Sequence, residues 1–211
     1  EKGKKKILSQ KELDLLQSAL KNLNEGEEIK VLNDENYKFL NTMGVLSIKP
    51  KIIVCNVDEQ SLATGNEYTN AIQQKFINEK IILICADIED QLSSLDRNEK
   101  ENFMKEIGLD KTGLNKLIKE GYDLLNLNTF FTSGIEESRA WTIKKNTRAP
   151  EAAGVIHTDF EKKFIRAEAV SCEDFFEFGS AEKCKEKGKL RIEGKDYIVK
   201  DGDVLHFRVN P

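Results

Sequence analysis

Apolar positions in this chain change period from helical, to continuous, to alternating. Leu13, Leu16, Leu20 and Leu23 recur at helical spacing over 9–24, and Ser9 with Glu12 predicts the capping box that opens this helix. The stripe is narrow and coiled-coil-like, which fits a helical arm, one leg of a helical hairpin or a plain surface helix. Asn-Asp-Glu at 33–35 caps a second helix carrying Tyr37, Leu40 and Met43, and Pro50 forces an extended approach to the first strand. Two continuous apolar runs come next, Ile52-Ile-Val-Cys55 and Ile81-Ile-Leu-Ile-Cys85, separated by a helical pattern over 67–78 with Ala71, Ile72, Phe76 and Ile77. Strand, helix, strand at this length predicts a βαβ unit with both strands buried in a parallel sheet.

A charged stretch over 88–106 reads as one helix with Phe103 and Met104 inward. Thr112 then caps a helix whose Leu114, Leu117, Ile118, Tyr122 and Leu125 should pack on the sheet. The pattern shifts at about residue 127 to short strands divided by Gly, Pro and Asp turns, which marks a second domain. Strands are predicted at 128–133, 138–144, 163–170, 196–199 and 203–209. Helices are predicted from Pro150 to about His157, at 171–178 and near 181–187. A hairpin, a helix and further strands make a small mixed sheet grasping one helix, the β-grasp or ubiquitin-like arrangement.

Charged residues are 33% of the 211 and apolar ones 39%, and no apolar run approaches the roughly 20 residues that span a bilayer, so the sequence reads as soluble and cytoplasmic. The net charge of −4 gives no global pull toward nucleic acid or anionic lipid. The four cysteines, Cys55, Cys85, Cys172 and Cys184, form no C-x-x-C pair and read as buried thiols; no metal site is expected. The chain begins at Glu1 within a lysine run, Lys2 and Lys4 to Lys6, and looks like a piece of a longer protein. It contains neither a G-x-x-x-x-G-K-[ST] nor a G-x-G-x-x-G phosphate loop.

The candidate chemistry sits where the first apolar run stops. Asn56-Val57-Asp58-Glu59 places an amide and two carboxylates at the carboxyl edge of a parallel strand, where open α/β sheets bind ligands. Asn56 offers a donor and an acceptor and Glu59 accepts only, a pair able to read a purine edge. The tetrapeptide is similar to the Asn-Lys-x-Asp guanine box, with Val57 in place of Lys and Glu59 in place of Asp, which should weaken discrimination for guanine. Cys85 and Ala86 end the neighbouring strand, either closing over the base or simply packing closely. Farther on, Arg139, Lys144, Lys145 and Arg148 give four cations and no acid over ten residues around Trp141. They either line phosphates while Trp141 stacks on a base, or form a solvated face of Arg139, Thr142 and Lys144 with Trp141 in the core. Lys162, Lys163 and Arg166 form a second, diluted cluster. His157 reads as structural, and turn chemistry accounts for Asp201 and Asp203 around Gly202.

The runs Asn126–Lys144, Ala149–Glu161, Phe164–Glu168 and Glu193–Val204, with Asn56–Glu59 and Cys85–Asp87 in place, resemble the YchF/EngD subfamily of Obg-like P-loop ATPases. The resemblance covers essentially the whole chain. It implies an α/β fold: the end of a helical coiled-coil arm at 1–30, the back half of a P-loop NTPase-type parallel sheet domain at 31–126, and a TGS domain of the ubiquitin-like β-grasp type at 127–211. It further implies binding of ATP in preference to GTP, with Asn56, Val57, Glu59, Cys85 and Ala86 at the base. The phosphate loop, catalytic groups and Mg2+ ligands would lie upstream, so this chain alone should not hydrolyse nucleotide. The implied partner is the ribosome or RNA, with no membrane and no DNA specificity. Arg139, Lys144, Lys145, Arg148, Lys162, Lys163 and Arg166 are the candidate contacts. The alternative is a non-enzymatic adaptor that binds RNA or protein through the β-grasp domain.

Overall fold

The computed structural model describes residues 8–210 apart from Leu32 and Ile135; the lysine run at 2–6 lies outside the described residues. The chain divides into two compact units, Glu1–Lys51 and Ile52–Pro211. In the first, α1 (Gln10–Asn24) opens on the Ser9–Glu12 capping box, and Asn33 caps α2 (Asp34–Thr42). Leu40 is fully buried, whereas Leu20 and Leu23 on the α1 stripe stay exposed.

The second unit begins with the βαβ element: β1 (Ile52–Asn56), α3 (Glu67–Lys75) and β2 (Lys80–Ile84), with β1 and β2 parallel and Asn56 in register with Ile84. Both strands were expected to be buried, yet only Cys55 and Ile82 are, and Val54 is exposed. A two-stranded sheet among the described residues is too narrow to cover both of its faces. The charged stretch expected as one helix is two, α4 (Ala86–Ser94) and α5 (Arg97–Glu106). Asp96 breaks it, because its carboxylate accepts the Glu99 N–H while Glu99 reaches back to the Asp96 N–H, starting a new helix. Helix α6 (Gly113–Leu124) is capped by Thr112 as expected and packs on β2, but Leu114 and Ile118 of its stripe stay more than half exposed.

The remaining elements are β3 (Leu127–Ser133), β4 (Ser138–Lys144), α7 (Ala149–Ile156), α8 (Thr158–Lys162), β5 (Phe164–Ser171), α9 (Cys172–Phe178), α10 (Ala181–Glu186), β6 (Arg191–Glu193) and β7 (Asp203–Val209). The five strands pair in the order β4-β3-β7-β5-β6, with β3 parallel to β7 and every other pair antiparallel. This is the β-grasp order, with first and last strands central. Phe130, Ile143, Phe164, Ala167, Ala169 and Leu205 from the sheet close on Ala149, Ala152 and Ala153 of α7, with Trp141 and Phe207 packed against them. The strand expected at 196–199 is absent. The pairing segment is β6, and Ile198 makes only an isolated bridge to Arg148. Tyr197 explains the difference: its carbonyl accepts the Ala149 N–H and its hydroxyl donates to Asp203, which pulls the segment toward the start of α7.

Candidate functional site

The ends of β1 and β2 are joined by Asn56. Its Oδ1 accepts the Ala86 N–H at 3.0 Å, and the next residue, Val57, donates its N–H to the Ile84 carbonyl at 2.8 Å. Because a backbone N–H only donates, the Asn56 oxygen must face Ala86, so its amide NH2 points away and is the group left for a ligand. Ala86 is exposed and starts α4, and Cys85 gives that helix no side-chain cap. The Cys85 side chain faces inward, packed with Ile88 and Leu92, so toward a ligand it can present only its backbone.

The two carboxylates of the box have different surroundings. Asp58 accepts from Ser61, whose hydroxyl and backbone N–H hold this carboxyl below its ordinary range. Glu59 is exposed and stands on the rim of a cavity of about 490 Å³ lined by Leu62, Ile88, Ile107 and Leu109. The turn between β1 and α3 is fixed by Asn66, which caps α3, and by Gly65, whose φ of +74° and close approach to Thr69 exclude a side chain.

The cations at the second candidate site are dispersed. Arg139 lies 4.2 Å from the centroid of the Trp141 ring, and strand alternation puts both on the core side of β4 with Ile143, opposite Thr142 and Lys144. The single solvated face of Arg139, Thr142 and Lys144 is therefore corrected: Arg139 belongs to the other side. Trp141 packs against Phe130, donates its indole N–H to Thr132 at 2.9 Å and carries Arg139 over its ring, which leaves little face for a base. Lys144 donates to the Leu125 carbonyl, Lys145 pairs with Asp123 at 2.7 Å, Arg148 with Asp196 and Arg166 with Glu168. Lys162 and Lys163 are exposed and belong to no ion pair among the described residues.

Two arrangements escaped the sequence reading. Glu89 on α4 accepts the Gly113 and Leu114 N–H groups at the start of α6, in addition to the local cap from Thr112. Asp203, expected to be a turn residue, is 2% exposed and accepts from Tyr197 Oη at 2.6 Å, Arg191 at 3.0 Å and the Lys200 N–H. Burial and this hydrogen bond push the Tyr197 phenol up to about 12. Asp201 instead anchors the turn to β3 by accepting the Thr129 N–H. No group of three or more His, Cys, Asp or Glu side chains placed to hold a metal occurs among the described residues.

Residues 127–210 match the model of the YchF-GTPase_C family, described as a protein of unknown function (DUF933). The chain is 45% identical over 181 residues to the ribosome-binding ATPase YchF of Haemophilus influenzae, covering 85% of this chain and 50% of that protein. It is 46% identical to the protein of the same name from Bacillus subtilis, covering 84% of this chain and 50% of that one. The chain belongs to the YchF family. A solved structure of the Schizosaccharomyces pombe YchF GTPase superimposes with a TM-score of 0.74 at 32% identity, over 94% of this chain and 54% of that one. The chain thus spans about half the length of the YchF relatives it matches.

Proposed function

We propose that this chain is the carboxyl-terminal part of a P-loop ATPase that binds ATP in preference to GTP and associates with the ribosome in the cytoplasm. One observation carries the reading: Asn56 ties the ends of two parallel strands together through Ala86, in a chain whose relatives are named ribosome-binding ATPases. With its oxygen engaged, Asn56 keeps a donor for purine N7, an acceptor common to adenine and guanine. It holds a purine without choosing between the two. The choice falls to the groups beside it, where Glu59 replaces the shorter carboxylate that demands the guanine N1–H. Val57 and the Cys85–Ala86 backbone complete the base end.

The phosphate end lies outside these residues. No phosphate-loop motif occurs in the chain, so hydrolysis and the binding of Mg2+ belong to the remainder of the protein, where positioning and charge stabilisation of the γ-phosphate reside. Within this scheme, 1–30 is the end of the helical arm, 31–126 completes the nucleotide domain, and 127–211 is the TGS domain that meets the ribosome or RNA.

The test is a parallel titration of fluorescent ATP and GTP against the full-length protein and its Asn56→Ala form. Tighter binding of ATP, lost in Asn56→Ala, is the expected result. If neither nucleotide binds, or the substitution changes nothing, the base site fails and the adaptor reading replaces it.

A further inference from the structure

A groove of about 430 Å³ opens on the face of the five-stranded sheet opposite α7. Its floor is one cross-strand row: Ala140 pairs with Phe131, Phe131 with Val204, and Val204 with Val170. At the inner end Val170 and Val204 are buried, while toward β4 Phe131 is half-buried and Ala140 is exposed. Phe175 and Phe176 of α9 form one wall, and Phe176 is 80% exposed. The row therefore runs out at the smallest side chain of the four, on β4, which lies at the edge of the sheet and pairs with β3 alone.

An added strand would continue both the ladder and the row, with its side chain beside Ala140 filling the open end against Phe176. Charge selects the occupant. From Arg139 to Arg148 there are four cations and no acid. Along the β4 edge Arg139 on the α7 side and Lys144 on the groove side have no carboxylate partner among the described residues, so an added strand meets a cation on either face. A second copy of β4 would set these cations against each other, the device by which natural edges refuse self-pairing. Nucleic acid is disfavoured because the one aromatic ring on this strand, Trp141, is covered by Arg139.

We propose that the β4 edge and its groove bind an extended acidic peptide segment of a partner protein, which adds a strand to the sheet and places one large apolar side chain beside Ala140. This site is independent of the purine site.

The test is selection of a randomised nonapeptide display library on the full chain, with Ala140→Arg, Phe176→Ala and Arg139→Glu forms in parallel. The expected winners are acidic with one large apolar residue. Once synthesised, they bind tenfold or more weakly to Ala140→Arg and to Phe176→Ala, and they shift the Ser138–Lys144 amide resonances. Arg139→Glu should weaken the preference for acidic winners. Phe176 is exposed, so its truncation leaves the fold intact and its effect reads the groove alone. No enrichment, neutral or basic winners on the unmodified chain, or binding that survives Ala140→Arg would overturn the proposal. So would displacement of the peptide by a twelve-residue oligouridylate, which assigns the edge to RNA, or dimerisation abolished by Ala140→Arg, which assigns it to a second copy.

Discussion

The carboxylate of Glu89 caps helix α6 from 24 residues away by accepting the N–H of Gly113. The cap ties the start of α6 to α4, and the close packing there requires a glycine. A Cβ at 113 would lie 2.7 Å from the Ile84 Cγ2 and 2.9 Å from the Glu89 Oε1. Glu89→Ala should cost about 1–2 kcal/mol, the usual range for a lost N-terminal cap. Gly113→Ala should cost about 1–3 kcal/mol through overpacking. Urea unfolding measures both, and because the two residues form one contact, the double variant should lose less than the sum.

Asn56→Asp separates the two roles of its parent residue. The carboxylate still accepts the Ala86 N–H, so thermal stability should stay near that of the unmodified protein, but the donor toward the purine is gone. Nucleotide binding to the full-length protein should weaken about tenfold, the loss of one hydrogen bond of about 1.4 kcal/mol. Equal binding by Asn56→Asp and the unmodified protein would show that the amide NH2 does not meet the base.

Alkaline pH should act through Tyr197. Its phenol titrates at about 12 in the folded protein, above the ordinary value of 10.0. The folded state therefore holds this proton more tightly than the unfolded chain, so the contribution is fully present below pH 10 and is lost as pH rises toward 12. Phenolate absorbance should show one tyrosine ionising last, and Tyr197→Phe should remove that late step. Asp203→Ala, which leaves the Tyr197 hydroxyl and the Lys200 N–H without their acceptor, should be the more damaging change, at about 1–3 kcal/mol for each group left unsatisfied.

If the cations of the β-grasp domain meet ribosomal RNA, those without internal partners should dominate. Lys162→Ala with Lys163→Ala should flatten the salt dependence of ribosome binding by about two units of slope. Lys145→Ala, whose ammonium is held by Asp123, should leave the slope unchanged.

What the sequence makes legible here is local. The Ser9–Glu12 box, the Thr112 cap and the strand at 203–209 each depend on residues within one element, and each is found where expected. The break at Leu95–Asp96 is also local, but the surrounding charge conceals it. Strand β6 has only three residues, too few for alternation to register, while Tyr197-Ile-Val has the composition of a strand and is drawn off by Asp203. At the proposed purine site Asn56 and Ala86 stand out as strand ends, but their bond to each other does not, because it spans 30 residues. The groove at β4 is less legible still. Its floor comes from Phe131, Ala140 and Val204 and its wall from Phe176, and no single segment announces it.

The parallel pairing of β3 with β7 also bears on how the protein is made. Phe131 and Val204 are in register, so the strand synthesised first in this domain lies beside the one synthesised last. During translation the β3–β4 hairpin waits with its inner edge unpaired until residues 203–209 emerge and slot between β3 and β5. For a protein whose relatives bind ribosomes, the window in which that edge is open to misassembly falls while the chain is still attached to one.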